Sequence, residues 1–237
     1  MVRLAGERPN LLVVAGEDIG AAAWFAEVWP ERVLTVPPLL TRLGIGEGII
    51  RGGGDSLIML DSEVTDLPVL PESGIVMVSQ TPAHLRLAYR AGLDICQPGW
   101  IEDLPALLVG ALGHPQTTLL FLPPVTPSSG DPPPPTTFGQ RRVLHRGGDG
   151  LLLGAGATAP AARRIAQALA QLHLQVTALD SHTITAASDL DAFVLHDHVL
   201  VGPLDVPRAT ALTQVAVAGD LATVVSRVQQ ALLAPHP

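Results

Sequence analysis

A glycine-rich turn contains the first residues of this sequence whose types and spacing could do chemistry. Gly154, Gly156 and Ala159 form a G-x-G-x-x-A pattern after an apolar run, and Asp180 ends the next apolar run. In a dinucleotide-binding domain such glycines let a pyrophosphate approach a helix N-terminus, and the acid binds a ribose hydroxyl. The pattern allows a dinucleotide-binding protein. A strand-to-helix turn without a nucleotide is the plainer interpretation, because the third glycine of the fingerprint is missing and Asp180 lies further along the chain than the fingerprint requires.

Two histidines and the cysteine were considered as metal ligands. His196 and His198 flank Asp197, and residues two apart can face one metal ion only from a strand or a turn. No third ligand follows, so a turn before a strand is the simpler explanation. Cys96 is the single cysteine, which excludes an internal disulfide and a site built from several thiolates. The sequence therefore predicts no metal site.

Composition sets limits on the partners and on the fold class. Of the 237 residues 47% are hydrophobic and only 15% are charged, which is typical of packed α/β layers. The net charge is -8, every base is arginine, and no basic cluster occurs. Nucleic acid and anionic membranes are therefore not expected as partners. No apolar run approaches the ~20 residues of a membrane span, and no secretion signal is evident, so we expect a cytoplasmic protein.

Apolar runs alternate with helical patterns on both sides of a proline-rich stretch. Seven prolines fall within residues 123–135, which predicts an extended linker. Helices are predicted at 82–90, 102–113, 159–172 and 221–233. The predicted strands are 10–15, 57–60, 74–79, 93–96, 117–122, 150–153, 175–179, 199–202 and 214–217. Alternation of this kind predicts two three-layer α/β/α domains with mainly parallel sheets.

The most specific strings lie in the N-terminal part. The run Leu11–Gly20 is a strand that enters the acidic turn G-E-D-I-G, and Arg32–Pro37 reads R-V-L-T-V-P. This resembles the pyrimidine-binding domain of the beta subunit of thiamine-diphosphate-dependent 2-oxoacid dehydrogenases, and more broadly the transketolase superfamily. Ala91–Pro98 is similar to that family's P-G-L-x-V-x-x-P strand. Residues 149–155 and 176–189 resemble the start and the D-L-R-T-I-x-P-L-D segment of its C-terminal domain.

The resemblance implies a domain organisation and a set of site residues. It implies a pyrimidine-binding domain at 1–122, a linker at 123–140 and a transketolase C-terminal-like domain at 141–237. In the family a glutamate hydrogen-bonds the aminopyrimidine of the cofactor, and the ungapped register places Leu40 at that position. The string Gly44–Glu47 resembles the G-I-A-E form of the motif, which would make Glu47 the catalytic acid. His84 is the nearby candidate for the active-site histidine, and Glu17 and Asp18 are the candidate cofactor-binding residues.

Functional expectations follow from these matches and departures. Where the family has a long helix with an aromatic that stacks on the pyrimidine, this chain has only residues 61–73, without an aromatic. The diphosphate site lies on another domain, so thiamine diphosphate could bind only at an interface with a partner chain. We expect a homodimer, or a hetero-oligomer with a diphosphate-domain (alpha-type) subunit, in which this chain is structural, regulatory or dependent on its partner. The alternatives are an active 2-oxoacid dehydrogenase or ketol-transfer subunit using Glu47, and a dinucleotide-binding protein using Gly154, Gly156 and Asp180.

Overall fold

The computed structural model describes residues 8–16, 23–67, 74–122, 136–185, 198–202 and 212–234. The chain forms two compact units. The first contains Met1–Cys96 and Pro105–Leu122, and the second contains Gln97–Leu104 and Pro123–Pro237. The division at Leu122 coincides with the start of the proline-rich stretch, of which residues 123–135 lie outside the described part. The short Gln97–Leu104 segment belongs to the second unit although the sequence on both sides of it belongs to the first.

The first unit is built on a parallel sheet, as the sequence predicts. Its strands have the order β5-β6-β4-β3-β1-β2, and each of these pairings is parallel. The inner strands β4 and β6 are buried at every residue, which explains why they read as unbroken apolar runs. The strands are β1 Leu11–Ala15, β2 Val33–Thr35, β3 Asp55–Met59, β4 Val76–Ser79, β5 Asp94–Cys96 and β6 Thr118–Phe121.

Helices connect these parallel strands. Helix α4 confirms the pattern predicted at residues 102–113, and α3 confirms the one predicted at 82–90. The periodicity predicts neither α1 nor α2, although the resemblance implies a helix of about four turns before β3. The helices are α1 Ala23–Val28, α2 Leu39–Arg51, α3 Ala83–Arg90 and α4 Leu104–Leu112, with 3-10 turns at Pro30–Arg32 and Ile101–Asp103.

The second unit contains a mixed sheet, which corrects the prediction of a mainly parallel one. Its five strands have the order β12-β11-β8-β9-β7, and only β8 and β9 are parallel. The pairings β7–β9, β8–β11 and β11–β12 are antiparallel. The strands of this unit, with the short β10, are β7 Arg142–His145, β8 Gly150–Gly154, β9 Val176–Asp180, β10 Thr183–Ile184, β11 His198–Gly202 and β12 Thr213–Ala216.

The two helices of the second unit are α5 Thr158–Gln171 and α6 Leu221–Leu233. They contribute to one buried cluster together with β8, β9, β11 and β12. Within the described part of this unit no long helix covers the opposite face, so a three-layer arrangement is not shown there. No helix among the described residues is both long enough and apolar enough to cross a membrane.

Candidate functional site

Helix α2 carries both residues that the sequence offers for the glutamate position. Pro38 is extended and lies just before the helix. Leu40 lies in the first turn and is 72% exposed. Glu47 lies about two turns further on and pairs with Arg51 at 3.2 Å on the same helix. At a rise of ~1.5 Å per residue the two positions are about 10 Å apart along the axis, so one ring cannot bind at both.

The start of this helix distinguishes the two registers. The resemblance implies a helix of about four turns that begins near the glutamate and leads into β3. Helix α2 has 13 residues and begins at Leu39, so the register with Leu40 in the first turn supplies that helix in full. If Glu47 were the glutamate at the helix start, only the last turn of α2 would follow it before the helix ends at Arg51. The geometry therefore favours Leu40 as the residue at the glutamate position.

A partly buried ion pair lies where β1 and β3 end. Arg42, 1% exposed, donates from Nη1 to the Met59 carbonyl at 2.6 Å, and its guanidinium pairs with the Asp61 carboxylate. A Cβ on Gly16 would lie 2.3 Å from Asp61 Oδ1, so the carboxylate rests against the backbone at the end of β1. The carboxyl edge of a parallel sheet is where ligands bind in such folds. Here that edge is occupied by the chain's own charges.

His84 is a structural residue in this fold. It is fully buried. Nε2 donates to the Val64 carbonyl at 3.0 Å, so Nδ1 accepts from the Ser79 hydroxyl at 2.6 Å. Burial lowers the pKa of His84, opposed by the Val64 carbonyl and the charge of Asp61. The imidazole is thus neutral with both ring nitrogens engaged, and it has no free nitrogen for acid-base chemistry.

The Asp61–Leu67 segment is the part of the chain that these contacts fix. Asp61 holds its start through Arg42, and His84 holds Val64 in the middle. Leu67 is 6% exposed, so the far end of the segment is also packed. The segment stands where the resemblance implies a helix with a stacking aromatic, and it contains no aromatic residue. The stacking surface of the family is therefore absent from residues 61–67.

The glycine-rich turn of the second unit is closed by contacts within that unit. A Cβ on Gly154 would lie 2.7 Å from the Thr158 carbonyl oxygen, so this glycine permits a tight strand-to-helix turn. Gly156 has φ +54° and donates from its backbone N to the Gln97 carbonyl at 3.1 Å. The Ala155 amide donates to Thr158 Oγ1 at 2.9 Å. Two of the turn's backbone amides that would bind a phosphate thus have protein partners.

Asp180 argues against the dinucleotide alternative more strongly. It is fully buried and accepts a hydrogen bond from Arg142 Nη2 at 2.6 Å. A carboxylate that binds a ribose must be accessible to the ligand, whereas this one is paired within the protein. These contacts argue against the assignment of Gly154, Gly156 and Asp180 to a nucleotide and support the plainer interpretation of a tight turn.

Arg142 is the centre of a buried polar network in the second unit. Its guanidinium binds both oxygens of Asp103 at 2.9 and 2.7 Å, and it lies 4.7 Å from the centroid of the Trp100 ring. Burial acts to lower the pKa of Arg142, but hydrogen bonds and charges from Asp103 and Asp180 outweigh it and raise the pKa. His182 Nδ1 lies 3.5 Å from Asp180 Oδ2. The network attaches the Gln97–Leu104 segment to strands β7 and β9.

Several predicted site residues lie outside the described part of the chain. Glu17 and Asp18 are among them, as are His196 and Asp197, while His198 begins β11. Within the described ranges no group of three or more His, Cys, Asp or Glu side chains could hold a metal ion. The roles given to Glu17 and Asp18 therefore stay predictions.

Sequence reasoning missed Arg42, Asp61 and Arg142. One weak signal for the first pair existed, since Asp61 directly follows an apolar strand and Arg42 interrupts an otherwise uncharged helix start. No local signal existed for Arg142, whose partners Asp103 and Asp180 are 39 and 38 residues away.

Comparison with solved structures identifies the fold. The whole chain, with 82% of the other, matches a structure described as a split gene transketolase, inactive beta4 tetramer, at TM-score 0.67 and 17% identity. It also matches a transketolase from Leishmania mexicana at TM-score 0.56 and 14% identity, over 76% of this chain and 32% of that one. No family model and no curated protein matches the sequence. At such identities the matches show a transketolase-like fold.

Proposed function

We propose that this chain, which has a transketolase-like fold along its whole length, is a non-catalytic beta-type subunit of an oligomeric assembly. The proposal rests on the first turn of α2, where Leu40 is exposed and where the resemblance implies the family's glutamate. Leucine can neither donate nor accept a proton, so this position cannot protonate an aminopyrimidine nitrogen. The chain then acts by assembling with other subunits.

The described residues of the first unit do not fit thiamine diphosphate. No carboxylate stands at Leu40, and the Asp61–Leu67 segment offers no aromatic for stacking. His84 uses both ring nitrogens inside the protein. Arg42, which lies at the carboxyl edge of β1 and β3, is paired with Asp61. We therefore derive no catalytic step through this cofactor.

The alternative of an active subunit using Glu47 has less support. Glu47 lies in the third turn of α2 and is held by Arg51. If Glu47 bound the pyrimidine, the helix of about four turns that the resemblance implies after the glutamate could not be α2 and would have to be another helix. A catalytic role would also require a partner chain with the diphosphate domain, because the resemblance implies that this chain carries only the pyrimidine-binding and C-terminal domains.

Assembly is supported by the comparison. The split gene transketolase structure is described as an inactive beta4 tetramer, and this chain covers most of that chain. We propose an oligomer of this chain by itself, with association with a diphosphate-domain chain as the second arrangement. Either arrangement gives a beta-type subunit a structural or regulatory role.

Calorimetric titration with thiamine diphosphate and Mg²⁺ tests the proposal, with and without a diphosphate-domain chain. We expect no binding heat from the full chain alone. In a reconstituted complex we expect any turnover to be the same for wild type and for Glu47→Gln. The matched control is Glu31→Gln, which removes an exposed carboxylate of the same unit. Turnover that Glu47→Gln abolishes and Glu31→Gln preserves would refute the proposal.

A further inference from the structure

Four buried polar atoms of the second unit have no hydrogen-bond partner among the described residues. They are Nε2 and Oε1 of Gln97, Oδ1 of Asp180 and Oγ of Ser181. Each of these residues is at most 1% exposed. Buried polar atoms in folded proteins are almost always hydrogen-bonded to the protein or to ordered water, because an unsatisfied one destabilises the fold. We call these four atoms the Gln97 cluster.

Main-chain hydrogen bonds bring the three residues of the cluster together. The backbone N of Gln97 donates to the His182 carbonyl at 2.7 Å, and Asp180 and Ser181 directly precede His182. The backbone N of Ser181 donates to the Gly154 carbonyl at 2.8 Å. Asp180 is the register partner of Gly154 in the parallel β8–β9 pair. The cluster therefore lies where these two parallel strands end.

The side chain of Gln97 lies against the glycine-rich turn. A Cβ on Gly156 would lie 3.2 Å from Gln97 Oε1, so the amide rests directly on the turn. The backbone N of Gly156 already donates to the Gln97 carbonyl at 3.1 Å, and it is therefore not a donor for the side chain. In open α/β sheets the carboxyl ends of parallel strands are the place where ligands bind. The Gln97 cluster is thus placed as ligand-binding groups are in such folds.

The donors and acceptors of the cluster select its occupant. The amide nitrogen of Gln97 donates, its oxygen and that of the Asp180 carboxylate accept, and the Ser181 hydroxyl does both. This mixture is the same in either orientation of the amide. An anion would be repelled by Asp180, whose charge already has a cation in Arg142 at 2.6 Å, and a metal ion would leave the amide nitrogen without an acceptor. Water donates and accepts, so it complements all four atoms.

We infer that the Gln97 cluster is a binding site for buried structural water. A buried water makes about three hydrogen bonds, so four atoms correspond to ~1–2 molecules. The Arg142–Asp103 ion pair attaches the far end of the Gln97–Leu104 segment to the second unit, and the water attaches its start. The turn whose glycines suggest a dinucleotide thus borders a hydrated joint between this segment and the end of β9.

Magnetic relaxation dispersion of water ¹⁷O, measured on the full chain, counts long-lived internal waters and tests this inference. Gln97→Leu removes both amide atoms and should lower the count by about one. Ser181→Ala, the smaller change, should shorten the residence time of the remaining water, and it keeps the test available if Gln97→Leu does not fold. The matched control is Gln171→Leu, which removes an exposed amide at the end of α5 and should leave the count unchanged. Circular dichroism melting establishes that each variant is folded.

A crystal structure of the full chain, at a resolution that shows ordered water, identifies the occupant. We expect a water ~2.7–3.2 Å from the Gln97 amide and from Asp180 Oδ1 or Ser181 Oγ. Density for a metal ion or a larger ligand at the cluster, or a protein partner for the Gln97 amide, would overturn the inference. So would equal counts of long-lived water, with equal residence times, in wild type, Gln97→Leu and Ser181→Ala.

Discussion

Replacement of His84 by alanine tests whether this residue is structural. The imidazole is fully buried and makes hydrogen bonds of 2.6 Å to Ser79 and 3.0 Å to the Val64 carbonyl. Leaving a buried partner unsatisfied costs ~1–3 kcal/mol, and here two partners lose their hydrogen bond. We expect His84→Ala to lower the free energy of unfolding of the first unit by about 3 kcal/mol. Urea unfolding monitored by tryptophan fluorescence measures it.

The same histidine predicts a pH dependence of definite sign. The pKa of His84 is lowered from its ordinary 6.5, chiefly by burial. Above that pH the imidazole is neutral in both states, so its titration contributes nothing. As the pH falls below 6.5, the unfolded chain binds a proton that the folded chain resists, and the free energy of unfolding decreases until the lowered pKa is passed. The negative charge of Asp61 acts in the opposite direction, because it favours the protonated imidazole and so raises the pKa of His84.

His84→Gln is the matched variant for both effects. Its amide nitrogen can donate to the Val64 carbonyl but does not titrate. It should recover part of the stability that His84→Ala loses, and its unfolding free energy should fall less between pH 7.5 and 5.5 than that of wild type. Hydrogen exchange should show faster exchange of residues 61–67 in His84→Ala. A loss below about 1 kcal/mol in His84→Ala, or equal pH dependence in wild type and His84→Gln, would refute the structural role.

Further predictions concern the second unit. Arg142→Met removes the guanidinium that pairs with the buried carboxylates of Asp103 and Asp180, so it should lower the free energy of unfolding in urea by about 3–5 kcal/mol. Adding Asp103→Asn and Asp180→Asn should recover part of that stability. A loss under about 1 kcal/mol in Arg142→Met would contradict the network's role. Gly154→Ala should lower the melting temperature markedly because its Cβ would lie 2.7 Å from a backbone oxygen. Gly148→Ala is the control, because a Cβ there has no atom within 4 Å. Equal melting temperatures of the two variants would contradict the close packing at Gly154. Full-length protein should show no NAD binding by calorimetry, and tight binding abolished by Asp180→Asn would restore the dinucleotide alternative.

Nine of the twelve described strands and four of the six described helices were predictable because their apolar runs and periodicities are local, whereas β2, β7 and β10 are short and were not predicted. Strand β4 and helix α6 follow directly from such patterns. Helix α2 was implied only by the resemblance, because Gly44, Gly46 and Gly48 lower its helix propensity and obscure its periodicity. Its formation depends on packing against β3, where a Cβ on Gly46 would lie 2.8 Å from the Ile58 side chain. Propensity is a weak guide where close packing requires glycine.

Strand direction and the polar network could not be predicted in this way. Nothing in the apolar run of β11 says that it pairs antiparallel with β8, because direction depends on the connections and not on the residues of the strand. The partners of Arg142 come from distant parts of the chain, and burial of an arginine is the exception for this residue type. The assignment of Leu40 to the glutamate position comes from one motif of the resemblance and stays a prediction.

The central claim is that this chain does not activate thiamine diphosphate, and exchange of the cofactor's thiazolium C2 hydrogen with D₂O tests it most directly. The rate is followed by proton NMR in the presence of Mg²⁺, the full chain and a diphosphate-domain chain, and it requires no knowledge of the substrate. Our account predicts that wild type leaves the rate at that of the cofactor without this chain, because Leu40 offers no carboxylate to the aminopyrimidine. Acceleration by wild type that disappears in Glu47→Gln would contradict it.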